Sequence, residues 1–308
     1  MELGEIAAPT STGPQEDVVR LRVEANEGAV LQMRIDGHVA SMEGLEGQFV
    51  SGKMIAYHIL NQDITIRGDI QGLEFPDQNI NDGGASIVEL DVKQCLRLQR
   101  LVCNAHGLTS VDLTACASLE ALELVDNELT RVDVTHCPQL RTLSLVGNPI
   151  GIIDLNYNPL LENLWISACK LHTLDVSNCP ALQSLWCETN QLQSLDVSNC
   201  PKLQELSCGE NQLQSLDVSG CPALQELYCY ENSLQHLDVS GCPKLQEIWC
   251  QGNQMDDSAM IALVESLPMN PERSGRRIHM DDRIPAAKSW AQLKGWEVAS
   301  FQASSAEN

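Results

Sequence analysis

Between Leu182 and Lys244 the chain repeats one pattern of 21 residues almost verbatim: LQSLWCETNQLQSLDVSNCPK, LQELSCGENQLQSLDVSGCPA, LQELYCYENSLQHLDVSGCPK. LQEIWCQGNQ follows, and the same phase runs backwards through coils that begin at Leu161, Leu140, Leu119 and Leu98. A divergent half-coil carries Ile87, Leu90, Val92 and Cys95. A unit this short cannot bury its apolar face alone, so its copies must stack on one another. Length therefore adds coils to one elongated body and requires no second core.

Counting each coil from its first Leu, the apolar positions are 1, 4, 6, 11, 14 and 16, as in Leu203, Leu206, Cys208, Leu213, Leu216 and Val218. These are expected to fill the interior. Position 9 is Asn127, Asn148, Asn190, Asn211, Asn232 and Asn253 in six coils, and His106 or Cys169 in the other two. An inward Asn can satisfy the backbone of adjoining turns, because its amide both donates and accepts. Position 15 is Asp in every full coil, from Asp112 to Asp238, with Asp91 before them. A column of like charges at strand spacing repels unless each carboxylate accepts hydrogen bonds, so these residues are expected to cap turns. A calcium ladder is the alternative, although additional oxygen ligands for each ion are not apparent.

The 13 cysteines fall into two columns and one outlier. Cys103, Cys187, Cys208, Cys229 and Cys250 share position 6; Cys95, Cys116, Cys137, Cys179, Cys200, Cys221 and Cys242 share position 19; Cys169 stands apart. Column neighbours about 4.8 Å apart do not match the Cβ separation of roughly 3.8 Å that a disulfide prefers. Reduced thiols packed as small hydrophobes are expected, with no metal site and no cofactor.

The run LxxLxCxxNxL resembles the leucine-rich repeat pattern LxxLxLxxN/CxL. With LDVS and CP following, it is most similar to the 21-residue bacterial type found in cysteine-ladder internalins and in secreted repeat proteins of Bacteroidetes. The resemblance implies a solenoid with a parallel β-sheet arc, few or no helices in the repeats, and a role in binding macromolecules. The flanks are read as caps. Residues 1–17 are expected to form a disordered leader, and 18–72 an N-terminal β cap. The cap opens with a hairpin of Val19, Leu21 and Val23 against Leu31, Met33 and Ile35, followed by strands at 56–60 and 64–66 that close at Gly68. The solenoid is assigned to 73–255, with an insertion around Asp82. An α/β C-terminal cap is assigned to 256–308. It holds a helix capped by Asp257 or Ser258 and stopped by Pro268, a strand at 277–280, a second helix at 286–293 and a last strand at 296–301. The arginines at 273, 276, 277 and 283 read as solvated charges.

A net charge of -23 opposes nucleic acid and anionic membranes as partners. No apolar run is long enough to span a bilayer. Within each strand, positions 3, 5 and 7 must point away from the interior. Position 5 carries Trp165, Trp186, Tyr228 and Trp249; position 7 adds Glu188 and Tyr230; position 3 adds Glu205, Glu226 and Glu247. Five of the chain's 12 aromatic residues thus project from one sheet. Such side chains either cover one another across coils or form a binding face. The glutamates, with 18 acidic against six basic residues from Leu98 to Asn253, favour a basic partner.

The reading is a non-enzymatic, monomeric protein-interaction or adhesion module on a bacterial surface or secreted. The alternatives are a glycan binder, stacking the same rings on sugars, and a cytoplasmic acidic inhibitor-like scaffold. Catalysis is not expected: His172 and His236 lie in different coils, and no nucleophile has a base at a meaningful spacing.

Overall fold

The computed structural model describes residues 16–26, 28–77, 85–270, 275–281 and 285–299. The leader before Glu16, the insertion around Asp82, Arg273 and Arg283 lie outside them. The described strands form one sheet of 16 strands. Its regular part consists of β7 (Arg100–Cys103), β8 (Ala121–Glu123), β9 (Thr142–Ser144), β10 (Asn163–Trp165), β11 (Ser184–Trp186), β12 (Glu205–Ser207), β13 (Glu226–Tyr228) and β14 (Glu247–Trp249). Each pairs in parallel with the next at unchanged register, so Leu164, Leu185, Leu206 and Leu227 lie side by side. This is a parallel solenoid in which identical positions form columns.

No helix is assigned among residues 98–255. The return path of each coil is a pair of linked turns: Cys200 N–H donates to Val197 O at 3.0 Å, and Leu203 N–H to Cys200 O at 3.1 Å. Cys at position 19 belongs to both turns, and in four coils in a row, from Cys179 to Cys242, Pro follows it. Pro fixes φ where the second turn needs it. The interior positions are buried as the period requires, and all 13 cysteines are free and buried. Burial pushes the Cys116 thiol up to about 12. The thiol of Cys221 donates to Val197 O, as Cys242 does to Val218 O.

The Asn column ties each coil to the one before it. Asn190 Nδ2 donates to Ile166 O at 2.9 Å and Cys187 O at 3.0 Å, while its Oδ1 accepts from Cys169 N–H and Leu171 N–H, both at 3.0 Å. Cys169 fills the slot with a thiol that donates to Leu145 O at 3.1 Å but offers no amide oxygen. There the chain compensates locally, with Ile150 N–H bonded to Asn148 O. The Asp column caps turns as expected: Asp196 Oδ1 accepts from Ser198 N–H at 2.9 Å, and the same bond recurs at Asp112, Asp133, Asp154, Asp175, Asp217 and Asp238.

One regularity was not anticipated. Position 8, just before the Asn, has left-handed backbone in all eight coils: Ala105, Asp126, Gly147, Ala168, Thr189, Glu210, Glu231 and Gly252. It turns the chain out of the strand and aims the following side chain inward.

The N-terminal strands differ from the expected hairpin. β1 (Asp17–Glu24) and β2 (Val30–Glu43) do not pair with each other. Both flank β5 (Asp63–Phe75), whose length lets it accept β1 on one edge and β2 on the other. β3 (Leu45–Glu46) and β4 (Met54–Ile59) continue beyond β2, and β6 (Ser86–Asp91) pairs with β1. Nor does β5 close at Gly68: it continues, and Gly72–Phe75 pairs in parallel with β7. Gly68 permits close contact, since a Cβ there would lie 2.0 Å from His38 O. One strand thus belongs to both the antiparallel cap and the parallel arc.

Asp17 is also not part of a loose leader. It is 1% exposed where the edge of β5 passes from β1 to β7. Its carboxylate accepts from Ile70 N–H at 3.0 Å, Leu96 N–H at 3.0 Å and Arg97 Nε at 3.3 Å. A charge with several donors is a stable buried arrangement, whereas the same charge without them is not.

At the other end, α1 (Asp257–Ser266) is capped by Asp256, one residue before the expected cap, through a bond from Ala259 N–H at 2.8 Å. β15 (Arg277–His279) and β16 (Glu297–Ala299) extend the parallel sheet, with α2 (Pro285–Leu293) between them. The two described arginines of the expected solvated group are engaged. Arg276 lies over the Trp296 ring at 5.8 Å, and Arg277 pairs with Glu247 at 2.8 Å.

Candidate functional site

The parallel register brings position 5 of successive coils edge to edge. Trp165 and Trp186 have ring centroids 5.7 Å apart, and Tyr228 and Trp249 5.8 Å apart. Tyr230 lies 6.2 Å from Trp249, and His279 of β15 stacks on the other side of Trp249 at 4.3 Å. These rings partly cover one another, so Trp165, Tyr228, Tyr230 and Trp249 are half-buried, while Trp186 is 39% exposed. Of the two explanations for an aromatic face, mutual cover thus accounts for part of the surface, and Trp186 is where it is least complete.

Between Trp186 and Tyr228 the column is interrupted by Ser207, which is 4% exposed. The missing ring leaves a hollow of about 280 Å³ lined by Trp186, Glu188, Glu205, Ser207, Tyr228, Tyr230 and Trp249. Gly209 shapes it from below, because a Cβ there would lie 2.6 Å from the Tyr230 ring. Tyr230 can therefore lean back across the preceding coil.

Hydrogen bonds fix the rim. Ser207 Oγ and Tyr230 Oη both donate to Glu188 Oε1, the latter at 3.3 Å. Ser184 Oγ donates to Glu205 Oε2 at 3.1 Å and accepts from Trp165 Nε1 at 3.3 Å. Tyr228 Oη donates to Glu226 Oε2 at 2.6 Å. Burial, with the hydrogen-bonded Glu226 next, raises the Tyr228 pKa well above the ordinary phenol range; burial and Glu188 do the same for Tyr230. Both phenols stay protonated donors at neutral pH.

Six of the nine residues proposed from the sequence meet at this hollow. Trp165 stands one coil away behind Trp186, and Glu226 is held by Tyr228. Glu247 is turned toward the C-terminal end, accepting from Trp249 Nε1 at 2.8 Å and pairing with Arg277. Sequence reading overlooked Ser207, Gly209 and His279. The first two carry a legible signal, as small residues interrupting columns of large ones. His279 comes from outside the 21-residue phase, and no periodicity points to it.

A larger hollow of about 630 Å³ lies where the N-terminal strands meet the repeats. Most of its charges are matched within the chain, Arg20 with Asp91, Arg22 with Glu89 and Lys93 with Asp112, while Asp63 has no ion-pair partner among the described residues.

No protein-family model matches the chain, and no curated protein does. Solved structures do. The functional domain of InlJ from Listeria monocytogenes, which includes a cysteine ladder, superposes with a TM-score of 0.57 at 29% identity, covering 63% of this chain and 42% of that one. This is a leucine-rich repeat solenoid. A leucine-rich repeat protein of Leptospira interrogans gives a TM-score of 0.57 at 21% identity over 67% of this chain and 62% of that one. The ectodomain of the Arabidopsis thaliana receptor kinase GASSHO1/SCHENGEN3, in complex with Casparian strip integrity factor 2, gives 0.52 at 19% identity over 68% and 28%. The match spans less than half of the InlJ domain and less than two thirds of the Leptospira chain. No helix among the described residues is long and apolar enough to cross a membrane.

Proposed function

We propose that the protein is a non-enzymatic interaction or adhesion module, displayed on a cell surface or secreted, that docks a basic protein partner on the aromatic face of β10–β14. The observation that carries this reading is the hollow over Ser207, where rings and carboxylates surround a gap that the chain leaves unfilled. Exposed Trp and Tyr in a concave, partly desolvated setting are the side chains that dominate protein interfaces, and surrounding carboxylates select the sign of the partner. The cysteine-ladder neighbour favours the surface setting.

Site-specific photo-crosslinking tests this. A benzophenone side chain at Trp186 should give a discrete adduct with a protein from surface extracts, whereas the same group at Tyr157, exposed at 59% on the return turns, should give none. An adduct from Tyr157 with nothing from Trp186 overturns the reading.

A further inference from the structure

The hollow over Ser207 also defines the chemistry of what enters it. Where the chain has arginines beside the strands, it neutralises its own glutamates: Arg100 pairs with Glu123 at 2.9 Å, and Arg277 with Glu247 at 2.8 Å. Around the hollow it supplies no cation. Among the described residues neither Glu188 nor Glu205 has an ion-pair partner.

The bonds these glutamates do make fall on one oxygen each, Glu188 Oε1 and Glu205 Oε2. Glu188 Oε2 and Glu205 Oε1 are left for a ligand. Two half-used carboxylates beside the rings of Trp186 and Tyr228 form a cation site, because ring faces attract positive charge and partial exclusion of water strengthens both interactions.

We propose that this hollow is the receptor for one arginine side chain of the partner protein. A planar guanidinium can lie against the indole of Trp186 while its divergent N–H groups reach both carboxylates. A lysine ammonium is a point charge that neither stacks nor forks. The site also leaves room for the methylene stem. Arg277 on Glu247, farther along the same sheet, shows an arginine of the chain itself in the corresponding kind of contact. The inference rests on the reading of this face as the docking face and specifies its anchor.

The test is tryptophan-fluorescence titration of the full chain with the capped tripeptide acetyl-Gly-Arg-Gly-amide. The controls replace Arg by citrulline, which keeps the shape and removes the charge, or by Lys. The arginine peptide should give a saturable change with a Kd on the order of a millimolar, and citrulline should bind at least about tenfold more weakly. Lysine should fall between them, and added salt should weaken the arginine complex. Ser207→Trp fills the gap with the residue that position 5 carries in other coils, so the fold is retained while the response is lost. Glu188→Gln keeps the acceptor for Ser207 and Tyr230 and should lower affinity roughly tenfold.

Citrulline binding as well as arginine, an unaltered response in Ser207→Trp, or no saturable response to arginine overturns the proposal. If the peptide fails while the Trp186 crosslink persists, the arginine anchor is wrong and the docking face stands. If the crosslink fails as well, the face itself is wrong.

Discussion

Tyr230 reaches across two coils to place its hydroxyl 3.3 Å from Glu188 Oε1, a contact between residues 42 apart in sequence. It exists because the register is strict and because Gly209, in the coil between, has no side chain to block the ring. Glu188 is thereby held over the hollow by two donors, Ser207 and Tyr230. Tyr230→Phe removes one of them at a partly exposed site. A stability loss of about 1 kcal/mol is expected in urea unfolding, with the larger effect on binding, since Glu188 becomes free to swing away. An unchanged affinity for the arginine peptide would show that the brace does not position Glu188.

His106 occupies the Asn slot of the first full coil. Its Nδ1 accepts from Ile87 N–H at 3.2 Å, and its ring lies edge-on to Phe75. Burial lowers its pKa from 6.5 to about 4. The folded state therefore keeps the ring neutral while the unfolded chain takes up a proton below 6.5, so the unfolded state binds more protons in this window. Stability is full above 6.5 and falls as the pH drops toward 4, by on the order of 3 kcal/mol from this group. His106→Asn, the residue of six other coils, should flatten that part of the profile. Superimposable unfolding midpoints for both proteins between pH 7 and pH 4 would contradict the assignment.

The Asn ladder predicts an order of severity at one position. Asn190→Ala strands the N–H groups of Cys169 and Leu171 and removes the donor to Ile166 O and Cys187 O, a loss of roughly 3 kcal/mol or more. Asn190→Cys retains a donor of the kind Cys169 provides and should lose distinctly less. Equal losses in chemical denaturation would mean that the thiol satisfies nothing.

Thr189 is a β-branched residue held at φ 53. This conformation is costly for such a side chain, while Gly147 and Gly252 hold the same position without penalty. Thr189→Gly should therefore stabilise the protein by about 1 kcal/mol even though it removes atoms, because relief of strain exceeds the added freedom of the unfolded chain. A lower unfolding midpoint would sink the strain argument.

The regular coils were legible because side-chain position repeats with the chain. Once Leu206 is assigned to the interior, Ser207 must face outward, and the fate of the Cys, Asn and Asp columns follows. The departures arose where a contact depends on distance along the chain rather than on phase. β1 and β2 alternate as a hairpin should, yet the length of β5 lets it separate them. Asp17 looks like the end of a polar leader until Leu96 and Arg97, some eighty residues later, supply its donors. His279 reaches Trp249 only because β15 extends the sheet after an irregular excursion. At the candidate site the rings and glutamates were readable, whereas the hollow depends on Ser207 and Gly209, whose importance lies in what they lack.

The proposed docking role places the aromatic residues of this face for a partner rather than for the fold. It is tested most directly by the variant Trp165→Ser, Trp186→Ser, Tyr228→Ser and Trp249→Ser, in which every substituted position takes the residue already present at Ser144 and Ser207. Its unfolding should be compared with that of Leu185→Ala, which removes a fully buried side chain from the opposite face of β11 and should cost about 2–5 kcal/mol. Both proteins should then be used to capture the Trp186-crosslinked partner. The quadruple variant should still unfold cooperatively, with less lost per substitution than in Leu185→Ala, and should no longer capture the partner. A quadruple variant that captures it as well as the parent protein would rule out a docking role for these rings.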